Sequence, residues 1–178
     1  VLLAQGKTEE AKHYATKAYE IAKQLKHPFG ISISANHIAG CCVELNDADT
    51  AEKYITECFE LDTTHGFTQQ LCMDYFRATV IGNKKKQYSK SIRYALDGLA
   101  ILEQNPNAET KNGILAALAE AYEATGQYKE ALKTQQLLLE EKLAYVSAEK
   151  AKAIVGINSK YNLEKKEAQL RETQLQKL

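Results

Sequence analysis

Apolar and small residues recur every three or four positions along most of this chain, the spacing that places them on one face of an α-helix. The stretch 115–139 shows the pattern most clearly, because two such runs flank a glycine, Gly126. A tight turn at this glycine would join two helices whose apolar faces meet. We expect the first helix to bury Leu115, Leu118, Ala119 and Tyr122, and the second to bury Tyr128, Ala131, Leu132 and Leu138.

The same combination of a turn and a following helix occurs four times. A small residue near the start of each second helix falls at Ala11, Ala51, Ser91 and Ala131. Their separations are equal, since 51−11, 91−51 and 131−91 each give 40. A period held three times without slippage predicts a helical solenoid, in which each hairpin buries its apolar face by stacking on its neighbours.

Turn-forming residues support this division. Pro28, Gly66 and Pro106 fall between hairpins, where one helix must stop and the next begin. We expect helices at about 8–26, 29–45, 48–64, 67–83, 88–104, 109–125 and 128–146. The stripes expected to be buried are Tyr14, Ala15 and Ala18 in the first unit, Ala35, Ile38, Ala39 and Cys42 in the second, and Tyr75, Ala78, Thr79 and Gly82 in the third.

The pattern changes after residue 146. We expect residues 1–146 to form the repeat array, with a truncated first unit because the chain starts with what looks like the end of a helix. A fifth hairpin would need a small residue near 171, where Arg171 stands. Residues 147–178 are therefore expected to form a long C-terminal capping and connector helix that begins at Ser147 and carries a weak coiled-coil signal. The stripe expected to pack on the array is Ala151, Ile154, Val155, Asn158 and Tyr161.

Composition and charge narrow the class of protein. Hydrophobic residues make up 44% of the 178, and only two prolines occur, which favours helices with short connections and almost no strand. The 23 basic and 23 acidic residues cancel, so no net field attracts nucleic acid or an anionic membrane. No apolar run approaches the ~18–20 residues that span a bilayer.

Residues that often carry chemistry show no arrangement typical of a catalytic or metal site. The histidines are scattered over different helices without metal-ligand spacing, and the lysines at 84–86 are interpreted as a solvated turn. We therefore expect no metal, no cofactor and no enzymatic activity in this stretch. The cysteines Cys41, Cys42, Cys58 and Cys72 are interpreted as free thiols packed like small apolar side chains, with a disulfide, for example between Cys58 and Cys72, as the alternative.

The pattern in the fourth unit, with Leu118-Ala119, Tyr122, Gly126, Tyr128 and Ala131, closely resembles the tetratricopeptide repeat. This resemblance covers roughly residues 1–146 and implies an all-α fold, a right-handed α-α superhelix of 40-residue helical hairpins. The third unit departs from the family pattern, because Ser91 and Gly82 replace the usual alanine and tyrosine. The 40-residue unit is similar to the long-repeat subclass found in signalling proteins.

The segment that starts at Glu149 resembles the helix that follows such repeats in bacterial sensor histidine kinases and related helix-turn-helix regulators. The match lies in Lys160-Tyr161 and in the run from Glu164 to Glu167. In those proteins the repeats form an N-terminal sensory region, and this helix leads to a transmembrane segment and an output domain. The resemblance implies that the repeats lie on the periplasmic side of the inner membrane and that any membrane contact is made by segments outside these residues.

The tetratricopeptide resemblance also implies a binding surface, the concave groove lined by the first helix of each unit. Gly40 and Val80 occupy positions where relatives that bind chaperone tails carry basic and asparagine residues, so recognition of an acidic chaperone terminus is disfavoured. Ala116 shares the groove-facing phase. The candidate groove residues carried over from the family are Asn36, Val43, Glu44, Met73, Phe76, Val80, Asn83, Glu120 and Glu123.

Together these resemblances imply a non-catalytic region that binds a protein or peptide, in a bacterial signal-transduction protein of the two-component type, with a histidine kinase domain expected elsewhere in the full-length chain. A homodimer through the C-terminal helix is a further expectation. The alternative is a cytoplasmic adaptor or peptide-responsive regulator, in which the repeats scaffold protein–protein interactions and the last helix is only a cap. No nucleic-acid partner is expected for this region.

Overall fold

The computed structural model describes residues 7–175, with side chains for 7–150, 152 and 153. Every secondary-structure element in this part of the chain is an α-helix, as the sequence predicts. The predicted helix limits agree with the observed ones to within two residues up to the start of the last helix. The helices are α1 (Thr8–Gln24), α2 (Pro28–Glu44), α3 (Ala48–His65), α4 (Thr68–Lys84), α5 (Tyr88–Gln104), α6 (Ala108–Ala124) and α7 (Tyr128–Leu175).

Consecutive helices from α1 to α6 pack against each other as helical hairpins. In addition, α2 packs on α4 and α4 packs on α6, so the first helices of successive units form a continuous layer. This is the repeated hairpin arrangement of a helical repeat. The right-handed sense of the superhelix stays a prediction.

The turns between helices repeat every 20 residues. Left-handed backbone occurs at Lys26, Asn46, Gly66, Lys86 and Gly126, and 46−26, 66−46 and 86−66 each give 20. The next position in this series, 106, is a proline, whose ring holds φ negative, and the helix there ends at Asn105 with φ −128°. The 40-residue period therefore consists of two helix-and-turn units of equal length.

The interior has two apolar clusters. The first lies among α2, α3 and α4 and contains the predicted stripe Ala35, Ile38, Ala39 and Cys42, each at most 1% exposed. The second lies among α4, α5 and α6 and includes Ala95, Ile114 and Leu118. All four cysteines are free and buried, which confirms their interpretation as small packed side chains.

Four residues expected to be buried, one of them Ala18, are exposed instead. Tyr14 is 54% exposed, Tyr128 is 72% exposed and Leu132 is 59% exposed. They lie in the first and last helices of the compact unit that ends at Leu138, where an apolar stripe has a neighbouring helix on one side only. The prediction was wrong at these positions because it gave the end helices the same surroundings as the middle ones.

The last helix continues without a break through the residue expected to cap a new one. Ser147 lies inside α7, and its hydroxyl donates to the Leu143 carbonyl at 2.8 Å, a bond made within a helix rather than at its start. A second compact unit begins at Leu139. The division into an array and a connector stays a prediction, and the stripe from Ala151 to Tyr161 lies outside the residues with described side chains. None of the described helices has the length and apolarity needed to cross a membrane.

Candidate functional site

The layer formed by α2, α4 and α6 holds the predicted groove residues, and we call it the first-helix face. Their accessibility differs. Glu44, Glu120 and Glu123 are exposed, Met73, Phe76 and Val80 are half-buried, and Asn36, Val43 and Asn83 are buried. Val43 belongs to the first core cluster, while several of the others join neighbouring helices.

Two polar or aromatic groups of α4 reach across to α6. The Asn83 amide donates to the Ala117 carbonyl at 2.8 Å and to a carboxylate oxygen of Glu120 at 3.1 Å. Phe76 packs against the second core cluster and lies directly over Gly113, where a Cβ would come within 2.7 Å of the phenyl ring. These contacts fix the spacing between the third and fourth first helices.

Between α2 and α4 the face opens into a pocket of about 210 Å³. Its mouth carries His37, and loss of solvation together with the nearby Arg77 charge lowers the pKa of this imidazole. The side chains that line the pocket are Ser32, Ile33, Asn36, His37, Gln70, Met73 and Asp74. A larger pocket of about 540 Å³ lies between α1 and α2, but its lining is mainly alanine, isoleucine and leucine.

A buried acidic pair lies behind the smaller pocket. Asp62 of α3 and Asp74 of α4 are 1% and 0% exposed. The Ser32 hydroxyl donates to Oδ2 of Asp62 at 2.8 Å, and the Asn36 amide donates to Oδ1 of Asp74 at 2.8 Å. The Cys58 thiol completes the cluster by donating to the Ser32 carbonyl at 3.3 Å.

The other oxygen of each acid, Oδ1 of Asp62 and Oδ2 of Asp74, has no hydrogen-bond donor among the described residues. Burial raises the pKa of Asp74 to about 8, opposed by the Asn36 hydrogen bond and reinforced by the charge of Asp62. Burial also raises the pKa of Asp62. Two carboxyl groups so close together cannot both ionise at low cost, so near neutral pH the pair retains a proton.

One helical turn beyond Asp74, the guanidinium of Arg77 lies against the backbone of α2. A Cβ at Gly40 would come within 3.0 Å of its Cζ and Nη2 atoms and 3.1 Å of Nη1. The Nε atom is buried without a hydrogen-bond partner, and no ion pair is formed with any described carboxylate. The absence of a side chain at Gly40 is therefore what leaves room for this charged group.

The charge of Arg77 is poorly balanced. Burial lowers the pKa of this side chain, while Cys41, Glu44 and Asp74 act in the opposite direction. An arginine still carries its proton at neutral pH, whereas burial raises the pKa of the Cys41 thiol and that of Asp74, so both partners are largely neutral there. Glu44, one turn further along α2, is the remaining acid, and it lies beyond ion-pair distance.

The structure corrects the interpretation of the lysine run. Lys85 lies 2.6 Å from both Asp49 and Glu52 of the preceding hairpin, and these two hydrogen bonds raise its pKa to about 12. Its side chain is only 22% exposed, so this lysine joins two units instead of remaining solvated. Lys86 supplies the left-handed turn residue.

The arrangement on the first-helix face is suited to binding. In the described part of the chain, no group of three or more histidine, cysteine or acidic side chains is placed to hold a metal ion. Burial raises the pKa values of Cys41, Cys42, Cys58 and Cys72, which keeps these groups as thiols and not as nucleophilic thiolates. The guanidinium of Arg77, which acts on His37 of the pocket and has no ion-pair partner among the described residues, can hold an anionic group.

Sequence reasoning missed Asp62, Asp74 and Arg77. The sequence contains a signal that could have identified them, because each is a charged residue on a helix face where the residues one turn away are mostly apolar or small. No protein-family model matches the chain, and comparison with curated proteins finds no similar sequence. In its described part, the chain is an all-α helical-repeat structure with a polar pocket between α2 and α4.

Proposed function

We propose that this chain is a tetratricopeptide-like, non-catalytic region that binds a peptide bearing a carboxylate on its first-helix face, within a bacterial signal-transduction protein of the sensor histidine kinase type. The observation that carries the binding role is the guanidinium of Arg77, which acts electrostatically on His37 of the α2–α4 pocket and has a buried Nε and no ion-pair partner among the described residues. Arg77 is half-buried and its guanidinium lies 5.5 Å from the centre of the Phe76 ring, so its charge is partly removed from water without an acidic partner, which is costly to the folded chain. A ligand carboxylate would supply the missing partner through two parallel hydrogen bonds.

A carboxylate suits this site better than a more highly charged anion. The helix that faces Arg77, α2, has no lysine or arginine over Pro28–Glu44. The imidazole of His37 has a lowered pKa and is largely neutral at pH 7. One guanidinium thus balances one negative charge, and the neighbouring pocket of about 210 Å³ accepts a side chain of the same peptide.

The signalling role rests on the helical-repeat architecture, on the resemblance of the segment from Glu149, and on the continuity of α7. Ala131 and Thr134 anchor the start of this helix in the array, being 2% and 9% exposed. The same helix continues to Leu175. A ligand that changes how the hairpins stack would alter the packing of these first turns, and a continuous helix would carry that change towards its C-terminal end.

Selection from a displayed library of random twelve-residue peptides tests the binding role. A peptide that binds the wild-type chain should bind Arg77→Met at least about tenfold more weakly, the loss expected for one charge-assisted hydrogen-bonded pair. Arg93→Met is the matched control, because Arg93 also lies over the ring of its neighbour, Tyr94, but on α5. Equal affinity of the two variants, measured by isothermal titration calorimetry, would refute the assignment.

A steric test addresses the same face independently. Ala116 is exposed on α6 at the groove-facing phase, so Ala116→Arg should block a peptide that crosses the face while leaving the core intact. Ala100→Arg places the same side chain at an exposed alanine of α5 and should leave binding unchanged. If Ala116→Arg binds the selected peptide normally, the ligand lies on another surface.

A further inference from the structure

The acidic pair Asp62 and Asp74 has a property that the proposed peptide site does not require. It joins three helices from two successive units. Asp62 is tied to Ser32 within the hairpin of α2 and α3, and Asp74 ties the next helix, α4, back to Asn36 of α2. The pair therefore lies at a junction between repeats, where the stacking of one hairpin on the next is decided.

The hydrogen-bonding groups of Asp62 and Asp74 are all satisfied only when one of the two acids carries a proton. Each acid receives one donor from α2, and each has one further oxygen without any donor in the described part of the chain. The two acids are within interaction distance of each other. A proton on one of these free oxygens becomes a donor to the other, which satisfies both acids at once.

No described cation forms a direct ion pair with either acid of the pair if that proton leaves. The charged and titratable groups that face it are Cys58 and His65 on α3 and Cys72 and Arg77 on α4. None forms an ion pair with either acid. The facing side of α2 offers the neutral donors Ser32 and Asn36, with His37 at the pocket mouth.

We propose that Asp62 and Asp74 share one proton across the junction between α2, α3 and α4, and that loss of this proton at alkaline pH loosens the stacking of these two repeats and opens the neighbouring pocket. Two buried like charges then face each other without a donor between them. Separation of α4 from the α2–α3 hairpin admits water to both. Because Asp74 and Asn36 line the pocket, the junction and the binding face respond together.

The direction of the pH effect follows from burial. The pKa of Asp74 lies near 8 in the folded chain against an ordinary value of 3.8. The folded chain thus holds the proton more tightly than the unfolded chain, so the stabilising contribution is complete below about pH 4 and is lost as the pH rises towards 8. One proton changes the folding equilibrium constant by at most about tenfold per pH unit within this window.

Asp74→Asn tests the proposal with little change of shape. Its amide oxygen can accept from Asn36 and its nitrogen can donate to Asp62, so the variant carries a permanent donor where the wild type carries a proton. Between pH 6 and pH 9 the folding equilibrium constant of the wild type should fall at least about tenfold more than that of the variant, measured by urea unfolding. Asp97→Asn, at an exposed acid of α5, should follow the wild type.

Two further measurements locate the effect. Carbon-13 NMR of labelled aspartate should show one carboxyl of the pair titrating near neutral to alkaline pH, and that signal should be lost in Asp74→Asn. Amide hydrogen exchange, corrected for intrinsic rates, should show α2 and α4 losing protection at pH 9 in the wild type but not in Asp74→Asn. Should Asp74→Asn fold poorly, Asp62→Asn provides the same comparison with the other acid.

The proposal is overturned if both carboxyls titrate near their ordinary values or if Asp74→Asn has the pH dependence of the wild type. It is also overturned if protection at pH 9 is lost evenly over all described helices, because the junction would then have no special role. None of these measurements uses a peptide, so they stand apart from the test of the proposed binding function.

Discussion

Gly82 of α4 and Ser91 of α5 contact each other where the two helices of the third unit pack together. An ideal Cβ at Gly82 would lie 2.3 Å from the Ser91 hydroxyl oxygen, but 3.4 Å from its Cβ. The first distance is far below any real contact, while the second is ordinary packing. The hydroxyl of Ser91, which is 0% exposed, is therefore the atom that excludes a side chain at position 82.

This geometry predicts strong coupling between two small substitutions. An alanine inside a helix is favoured over glycine by about 1 kcal/mol. In Gly82→Ala alone, the hydroxyl must leave its position, where it donates weakly to the Gln87 carbonyl at 3.4 Å, and the expected cost is roughly 1–3 kcal/mol. In the background of Ser91→Ala the obstacle is gone, so Gly82→Ala should then stabilise by about 0.5–1 kcal/mol.

Urea unfolding of the wild type, the two single variants and the double variant gives the coupling free energy directly. We expect about 1.5–4 kcal/mol, the sum of that cost and that gain, with Gly82→Ala destabilising alone and stabilising in the presence of Ser91→Ala. Additive effects, or a stabilising Gly82→Ala in the wild-type background, would show that α4 and α5 leave room for a methyl group beside the Ser91 hydroxyl. Tm values of the four proteins, taken at one concentration and pH, provide a second measure.

Two other substitutions probe the turns and the first-helix face. Lys86 has φ 58°, in the left-handed region, so Lys86→Gly should raise the free energy of unfolding by about 1 kcal/mol. Asn46→Gly should raise it less, because asparagine tolerates this conformation. Equal gains of the two variants in thermal unfolding would contradict the strain argument. A Cβ at Gly113 would lie 2.7 Å from the Phe76 ring. Gly113→Ala should therefore lower the free energy of unfolding by about 1–3 kcal/mol, measured by urea unfolding, despite the better helix propensity of alanine. A stabilised variant would mean that the ring can move aside.

The fold could be predicted from the sequence largely because the turns are regular. Left-handed residues follow five of the first six helices, and asparagine and glycine at three of these positions, Asn46, Gly66 and Gly126, are visible as turn signals. Lys86 gives no such signal by itself, yet the lysine run 84–86 was placed at a turn by the 40-residue repetition, whereas Lys26 was included in the helix expected at 8–26. What failed was burial at the ends of the array, at Tyr14 and Tyr128, because periodicity shows which face is apolar and not whether a neighbour covers it.

The candidate site was less accessible to sequence reasoning. Its main contacts join residues 30 and 38 positions apart. The bond from Ser32 to Asp62 depends on packing within the α2–α3 hairpin, and the bond from Asn36 to Asp74 depends on how the next hairpin stacks on it. The resemblance to tetratricopeptide repeats identified Asn36 as a groove residue and implied that it contacts a ligand. In the structure its amide donates a hydrogen bond to Asp74. The role of Arg77 likewise depends on the empty space above Gly40, which only the packed structure reveals.

The spacing of the three first helices sets a size for the bound partner. Each of α2, α4 and α6 has 17 residues, which corresponds to about 25 Å of helix. Packed helices lie about 8–10 Å apart, so a segment that crosses all three covers roughly 20 Å. At about 3.3 Å per residue, an extended chain of roughly six residues is enough. A minimal ligand of hexapeptide length should therefore retain most of the affinity of the twelve-residue peptide from which it is cut.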